Sequence, residues 1–304
     1  MSFNIKNEDS LRIKKLLSEV LGVQTYAKAE RMGGLTNRTY QVTLENQKIY
    51  VVRLPGEGTE ELINRADEKI STLLACKLGI DAQLLYFSES GEKVTVYIDG
   101  AQTMSADSIG QTDNLKKAAA LLRRLHACGE NTGVPFDVFH MAASYERIIA
   151  SNHVALFDDY DVIKSQVMAI RQELGSSGVD IVPCHNDPLC ENWVLDGEGY
   201  MYLIDWEYAG MNDAMWDLAD VSIEAALSAE QDHILLSAYF GRKATGEEHR
   251  RFHANKLYLD YLWTLWGKAR VPFDGETMEE YAAERYARLK KNLAAFVKTV
   301  DRNR

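Results

Sequence analysis

The run from Pro183 to Glu207, PCHNDPLCENWVLDGEGYMYLIDWE, constrains the fold most, because it is expected to fold back on itself locally. Residues 192–195 (Asn-Trp-Val-Leu) and 200–204 (Tyr-Met-Tyr-Leu-Ile) read as two strands, with Asp196-Gly197-Glu198-Gly199 as the turn between them. A hairpin apposes its two open ends. Asn192 enters the first strand and Asp205 leaves the second, so an amide oxygen comes to lie beside a carboxylate, with Asp187 on the loop just upstream. That arrangement fits a divalent-metal site with a spare base, as a metal-dependent phosphoryl transfer requires.

Bulk properties narrow the class. With 304 residues, 46% apolar and 26% charged, the chain can form two lobes or one large domain and reads as globular rather than disordered. A balance of 34 basic against 45 acidic residues gives a net charge of −11, which argues against sequence-independent nucleic-acid binding and suits a small-molecule enzyme. No stretch has the apolar length of a membrane span and the N-terminus lacks a signal-peptide core, so a cytoplasmic location without membrane insertion is expected. The four cysteines, Cys76, Cys128, Cys184 and Cys190, show no paired spacing, which leaves reduced thiols as the expectation.

Periodicity predicts a helix over 10–21, strands over 25–32, 39–45 and 48–54, an amphipathic helix over 59–78, and strands over 83–88 and 93–99. Beyond about residue 113 the pattern turns helical, apart from the hairpin. The lobe boundary is placed near Asp99-Gly100, giving an antiparallel sheet with an inserted helix over 1–99 and a mainly helical lobe, carrying the hairpin, over 100–304.

Within the first lobe, Gly33-Gly34-Leu35-Thr36-Asn37 joins two strands, and glycines there let backbone N–H groups approach an anion. By itself this is also an ordinary hairpin turn. Period two puts Arg53 on the same strand face as Val51, where it could hold phosphate or simply lie at the surface. The following helix has an apolar stripe at Leu62, Ile63, Ala66, Ile70 and Leu73, with Glu68 nearly opposite on an ideal wheel.

HNDPLCENW followed by LIDWEYAG resembles the catalytic and metal-binding loops of the choline kinase group, within the aminoglycoside phosphotransferase and protein kinase-like superfamily. GGLTNRTY, YVVRLPG and LLRRLH resemble its glycine loop, phosphate-binding strand and C-lobe helix, over roughly residues 30 to 290. The resemblance implies an α+β, two-lobed protein kinase-like fold using ATP and Mg²⁺. It makes Asp187 the catalytic base and Asn192 and Asp205 the metal ligands. Gly33, Gly34, Thr36 and Asn37 would face the nucleotide, with Arg53 replacing the protein kinase lysine, Glu68 as its ion-pair partner, and Ile98 to Gly100 beside adenine. The loop reads His-Asn-Asp rather than His-Arg-Asp, so control through an activation-loop phosphate is not implied.

A quaternary ammonium acceptor is read by aromatic faces and carboxylates. Trp263 and Trp266 lie three apart on a late helix whose core stripe is Leu257, Tyr258, Tyr261 and Leu265. They match the group's choline-lining pair, as Glu207, Tyr208 and Glu224 match pocket positions; Tyr281 matches with altered spacing. The expected partners are therefore ATP and choline or a similar amino alcohol. Other acceptors (ethanolamine, thiamine, a sugar or an aminoglycoside) stay open, as do a non-catalytic choline-binding module and a metal-dependent hydrolase using His185 and Asp187.

Overall fold

The computed structural model describes residues 5–33, 37–56, 58–59, 63–175 and 179–302, with side chains to residue 296. The chain forms two compact units, residues 1–105 with 190–209, and residues 106–189 with 210–304.

The first unit is built on an antiparallel sheet ordered β1-β2-β3-β5-β4, from β1 (Lys28–Arg31), β2 (Asn37–Thr43), β3 (Ile49–Pro55), β4 (Leu84–Phe87) and β5 (Lys93–Val96). Alternation along the strands separates its faces. Tyr40, Val42, Val52, Leu54 and Val94 pack with Ile13, Leu16 and Leu17 of α1 (Asn7–Leu21) in one apolar cluster. Arg53, between Val52 and Leu54, points to the opposite face and lies across from Thr39 in β2 and Lys93 in β5.

Helix α2 (Arg65–Lys77) starts at Asn64, whose side chain caps the N–H groups of Ala66 and Asp67. It begins later than the predicted residue 59, and it buries the face opposite to the one expected. Glu68 is 1% exposed, whereas Ile70 and Leu73 are 44% and 51% exposed. Arg65, Glu68, Ser71, Thr72 and Ala75 form the buried stripe because ion pairing compensates the charges on it.

The hairpin forms in the expected place, as β8 (Trp193–Leu195) and β9 (Met201–Leu203) with Trp193 opposite Leu203. Asp196 builds the turn, its Oδ1 accepting the N–H groups of Glu198 and Tyr200 at 2.9 Å each. The hairpin packs with the first unit, so a division at 99/100 does not describe where this segment sits. β8 pairs with β6 (Gln102–Thr103), the Gly197 N–H donates to Asp99 O at 3.0 Å, and the Leu203 N–H donates to Ile80 O at 3.0 Å. At the tip a Cβ on Gly100 would lie 2.7 Å from the Gly197 Cα, so this approach requires glycine.

The second unit is mainly helical. It contains α3 (Ala106–Ile109), α4 (Thr112–His126), α5 (Val138–Ser151), α6 (Tyr160–Leu174), α7 (Ala214–Glu224), α8 (Ala229–Phe240), α9 (Gly246–Asp274) and α10 (Glu276–Arg302). A two-stranded antiparallel ribbon, β7 (Ile181–Cys184) and β10 (Gly210–Asp213), pairs Cys184 with Gly210 and brackets the excursion of 190–209 into the first unit. Helix α9 opens with a capping box between Thr245 and Glu248. From Leu259 to Arg270 every residue is buried, so the helix is enclosed on all sides rather than along the single stripe expected. No described helix is long and apolar enough to cross a membrane, and all four cysteines are free thiols.

Candidate active site

In the first unit β3, α2 and the segment after the hairpin bring together a buried charge network. Arg53 bonds Glu68 through Nη1, donates from Nη2 to the Gly91 carbonyl at 2.9 Å, and reaches Asp205 Oδ1 at 3.4 Å. The other Glu68 oxygen accepts from Arg65 at 2.7 Å. Arg65 then extends to Glu207 at 3.4 Å, Asn37 Oδ1 at 3.3 Å and Thr59 Oγ1 at 2.9 Å, while Asn37 Nδ2 donates to Glu207 at 2.7 Å. Gly91 adjoins this network, since a Cβ there would fall 2.5 Å from Arg65 Cδ. Burial would lower the pKa of Arg53, but Glu68, then Asp205 and Glu207, outweigh it and hold the group above its ordinary value. Burial correspondingly opposes ionisation of Glu68, and Arg53 overcomes it and keeps the carboxyl below its usual range.

Asn192 ends a 3-10 turn at Cys190–Asn192, and its carbonyl accepts the Ile204 N–H at 2.9 Å, so the base of the hairpin ties Asn192 to the residue before Asp205. Asp205 has φ 69°, a conformation uncommon outside glycine, and its side chain is 35% exposed, so one face of the carboxylate is accessible to a ligand. Glu207 and Tyr208 are buried, Glu207 against Asn37 and Arg65. Gly33 and Gly100 are exposed and Ile98 is half-buried; Gly34 and Thr36 lie outside the described residues.

In the second unit the loop carrying Asp187 is pinned by Asp217 of α7. Its Oδ2 accepts the His185 N–H at 2.8 Å and contacts His126 Nε2 at 3.0 Å, and its Oδ1 accepts the Asn186 N–H at 2.8 Å. Asn186 takes φ 66°, its carbonyl accepts the Trp216 indole N–H at 2.9 Å, and its side-chain oxygen accepts from Asn212 at 2.9 Å. His185 is fully buried, and its Nδ1 accepts the Asp187 N–H at 3.3 Å, a loop-holding role.

Trp263 and Trp266 stand edge to face at 6.2 Å, and Trp266 meets Tyr281 in the same way at 5.6 Å. Gly267 makes room for that contact, since a Cβ there would sit 2.8 Å from Tyr281 Cδ1. Burial raises the Tyr281 pKa, opposed by Arg285 and reinforced by Glu224, Asp187 and Asp220, which places those carboxylates within electrostatic reach of the ring. Glu224 itself is held by Arg285 at 2.7 and 2.9 Å.

Several residues went unsingled in the sequence: Arg65, Asp217, Asp220 and Tyr145, whose buried hydroxyl has no hydrogen-bond partner among the described residues and lies in the field of Asp187. Asp217, Asp220 and Glu224 recur with helical spacing, a signal available in the sequence. Nothing local marks Arg65 or Tyr145.

Comparison with known proteins shows the family to which the chain belongs. The choline kinase LicA of Streptococcus pneumoniae superposes with a TM-score of 0.83 at 32% identity, covering 95% of this chain and 100% of that one. LicA in complex with AMP gives 0.81 at 31%, covering 96% and 100%. Protein LicA of Haemophilus influenzae is 28% identical over 84% of this chain and 76% of its own length. The two-lobed, protein kinase-like α+β fold expected from the sequence is the fold these structures share with it. The choline/ethanolamine kinase family matches residues 30–269, and the chain belongs to that family, as a kinase that phosphorylates an alcohol.

Proposed function

We propose that the protein transfers the terminal phosphoryl group of ATP to the hydroxyl of choline, forming phosphocholine. One observation carries this choice of acceptor: Trp263, Trp266 and Tyr281 meet edge to face, an aromatic group suited to a quaternary ammonium, and the Asp187 carboxylate acts electrostatically on Tyr281.

Asp187 accepts the proton of the acceptor hydroxyl as that oxygen bonds to the γ-phosphorus and the bond from phosphorus to the ADP oxygen breaks; the proton then passes to solvent. Asn192 and the accessible carboxylate of Asp205 offer hard oxygen donors, the set Mg²⁺ prefers, and the metal when bound supplies neutralisation of phosphate charge. Arg53, fixed by Glu68 and facing Asp205, adds positive charge on the nucleotide side. Gly33, Gly34, Thr36, Asn37 and the stretch Ile98 to Gly100 are assigned to the nucleotide, and Glu207, Tyr208, Glu224, Trp263, Trp266 and Tyr281 to the acceptor.

Purified protein with ATP, Mg²⁺ and choline is expected to form phosphocholine. Asp187→Ala should lower the rate about a hundred- to ten-thousand-fold while nucleotide still binds; wild-type turnover in that variant would sink the assignment. Faster turnover of ethanolamine than of choline would move the substrate to the other alcohol in the family's name. Choline binding with no ATP turnover would favour a binding module.

A further inference from the structure

Helix α7 presents Asp217, Asp220 and Glu224 at successive turns, and two of the three have protein partners. Asp217 receives the loop N–H groups and His126. Glu224 is gripped by both terminal nitrogens of Arg285 and approached by Arg288 at 3.3 Å, while Arg288 also binds Asp260 at 2.7 Å. Glu224 therefore spends its charge within an arginine frame. Asp220 is fully buried, and neither of its oxygens has a hydrogen-bond partner among the described residues. The charged groups facing it are Glu224 and Asp217 on its own helix, Asp187 on the loop after β7, and Arg285 on α10. Three of these four are acidic, and the one arginine is already committed to Glu224. Tyr281 lies in the same field, in contact with Trp266.

An ionised carboxylate left in this state is costly, and among the described residues no cation hydrogen-bonds to it, Arg285 being engaged with Glu224. A cation against the Trp266 and Tyr281 rings would supply the compensating charge, and in a low-dielectric interior the attraction is little screened. We propose that Asp220 supplies the counter-charge for the acceptor's ammonium group, acting through the interior rather than by touching it, and so sets the preference for a cationic over a neutral alcohol. The assignment rests on the amino-alcohol kinase reading above and makes Asp220 a positioning residue. Burial, then Glu224 and Asp187, push its pKa well above the carboxylate range, opposed only in part by Arg285. That direction favours the protonated form while the site is empty, and a nearby cation favours release of the proton to solvent.

The test compares choline with its neutral carbon isostere, in which a quaternary carbon replaces nitrogen, using the full chain with ATP and Mg²⁺. Asp220→Asn is expected to lower the choline-to-isostere ratio of kcat/KM by about tenfold or more, chiefly through KM for choline. An unchanged ratio overturns the assignment. Should that variant fail to fold, calorimetry on the wild-type protein decides: choline titrated in two buffers of different ionisation enthalpy should release protons that the isostere does not. Equal proton release for the two ligands overturns it as well. Wild-type protein that phosphorylates neither choline nor ethanolamine overturns the parent reading and Asp220's role with it, whereas an active enzyme with an unaltered ratio in the variant removes Asp220 alone.

Discussion

The clusters around Glu68 and Asp220 are both buried and both built from carboxylates and guanidinium groups, yet their charges close differently. Around Glu68 each carboxylate oxygen meets an arginine, and the chain of contacts continues from Arg65 to Glu207 and Asn37. Around Asp220 the arginines serve Glu224 and Asp260, and one acid is left without a hydrogen-bond partner among the described residues. The first network pairs its buried carboxylates internally and so holds a shape, although Arg53 Nε has no hydrogen-bond partner among the described residues and Asp205 keeps an accessible face. An open one favours a ligand that completes it. The contrast matches the chemistry proposed for each side, a rigid cradle for phosphates and a cation-seeking pocket for the acceptor.

The strongest way to break this comparison is to open the cluster around Glu68. Glu68→Ala strands Arg53 and Arg65 in the interior and should cost about 3–5 kcal/mol of stability in denaturant unfolding. Little change would mean that the network is dispensable. Next in size is an exception within the first unit. Asp81 is buried, its Oδ1 accepts the Ala82 N–H at 2.7 Å, its Oδ2 has no partner among the described residues, and burial raises its pKa to about 6, with Lys93 opposing. Because the folded pKa exceeds the ordinary carboxyl value of 3.8, Asp81 contributes stability that is fully present below that value and is lost as pH rises through about 6. Asp81→Asn should therefore stabilise the protein at neutral pH, by at most ~3 kcal/mol, and flatten the stability profile across that window. Unfolding curves at a series of pH values check both points. The smallest effect belongs to the aromatic wall. Trp263→Ala should reduce the preference for choline over ethanolamine by about tenfold, measured as the ratio of kcat/KM in competition.

What could be read from the sequence follows the range of the forces involved. The hairpin was legible because turn, strands and metal-type oxygens lie within one local segment, and Asp196 caps its own turn. Arg53 was legible as a face of β3, since strand alternation is local. Its pairing with Glu68 ran against the helical wheel: the apolar Ile70 and Leu73 are exposed while Glu68 is buried, because two arginines from other positions compensate a charge that burial would otherwise exclude. Likewise the single stripe expected for α9 fails because helices including α5, α7 and α10 surround it. The lobe boundary was misplaced around the hairpin, whose strand pairing with Gln102 and Thr103 joins residues far apart in sequence. Glu224 was singled out and Asp220 was not, though both sit on one helix face; only the arginine positions distinguish a neutralised acid from an open one.

The most direct measurement is the turnover of choline and its neutral carbon isostere by the wild-type protein with ATP and Mg²⁺. If the cluster in the second unit is held open for a cation, choline is favoured in kcat/KM by about tenfold or more. Equal kcat/KM for the two alcohols would contradict it.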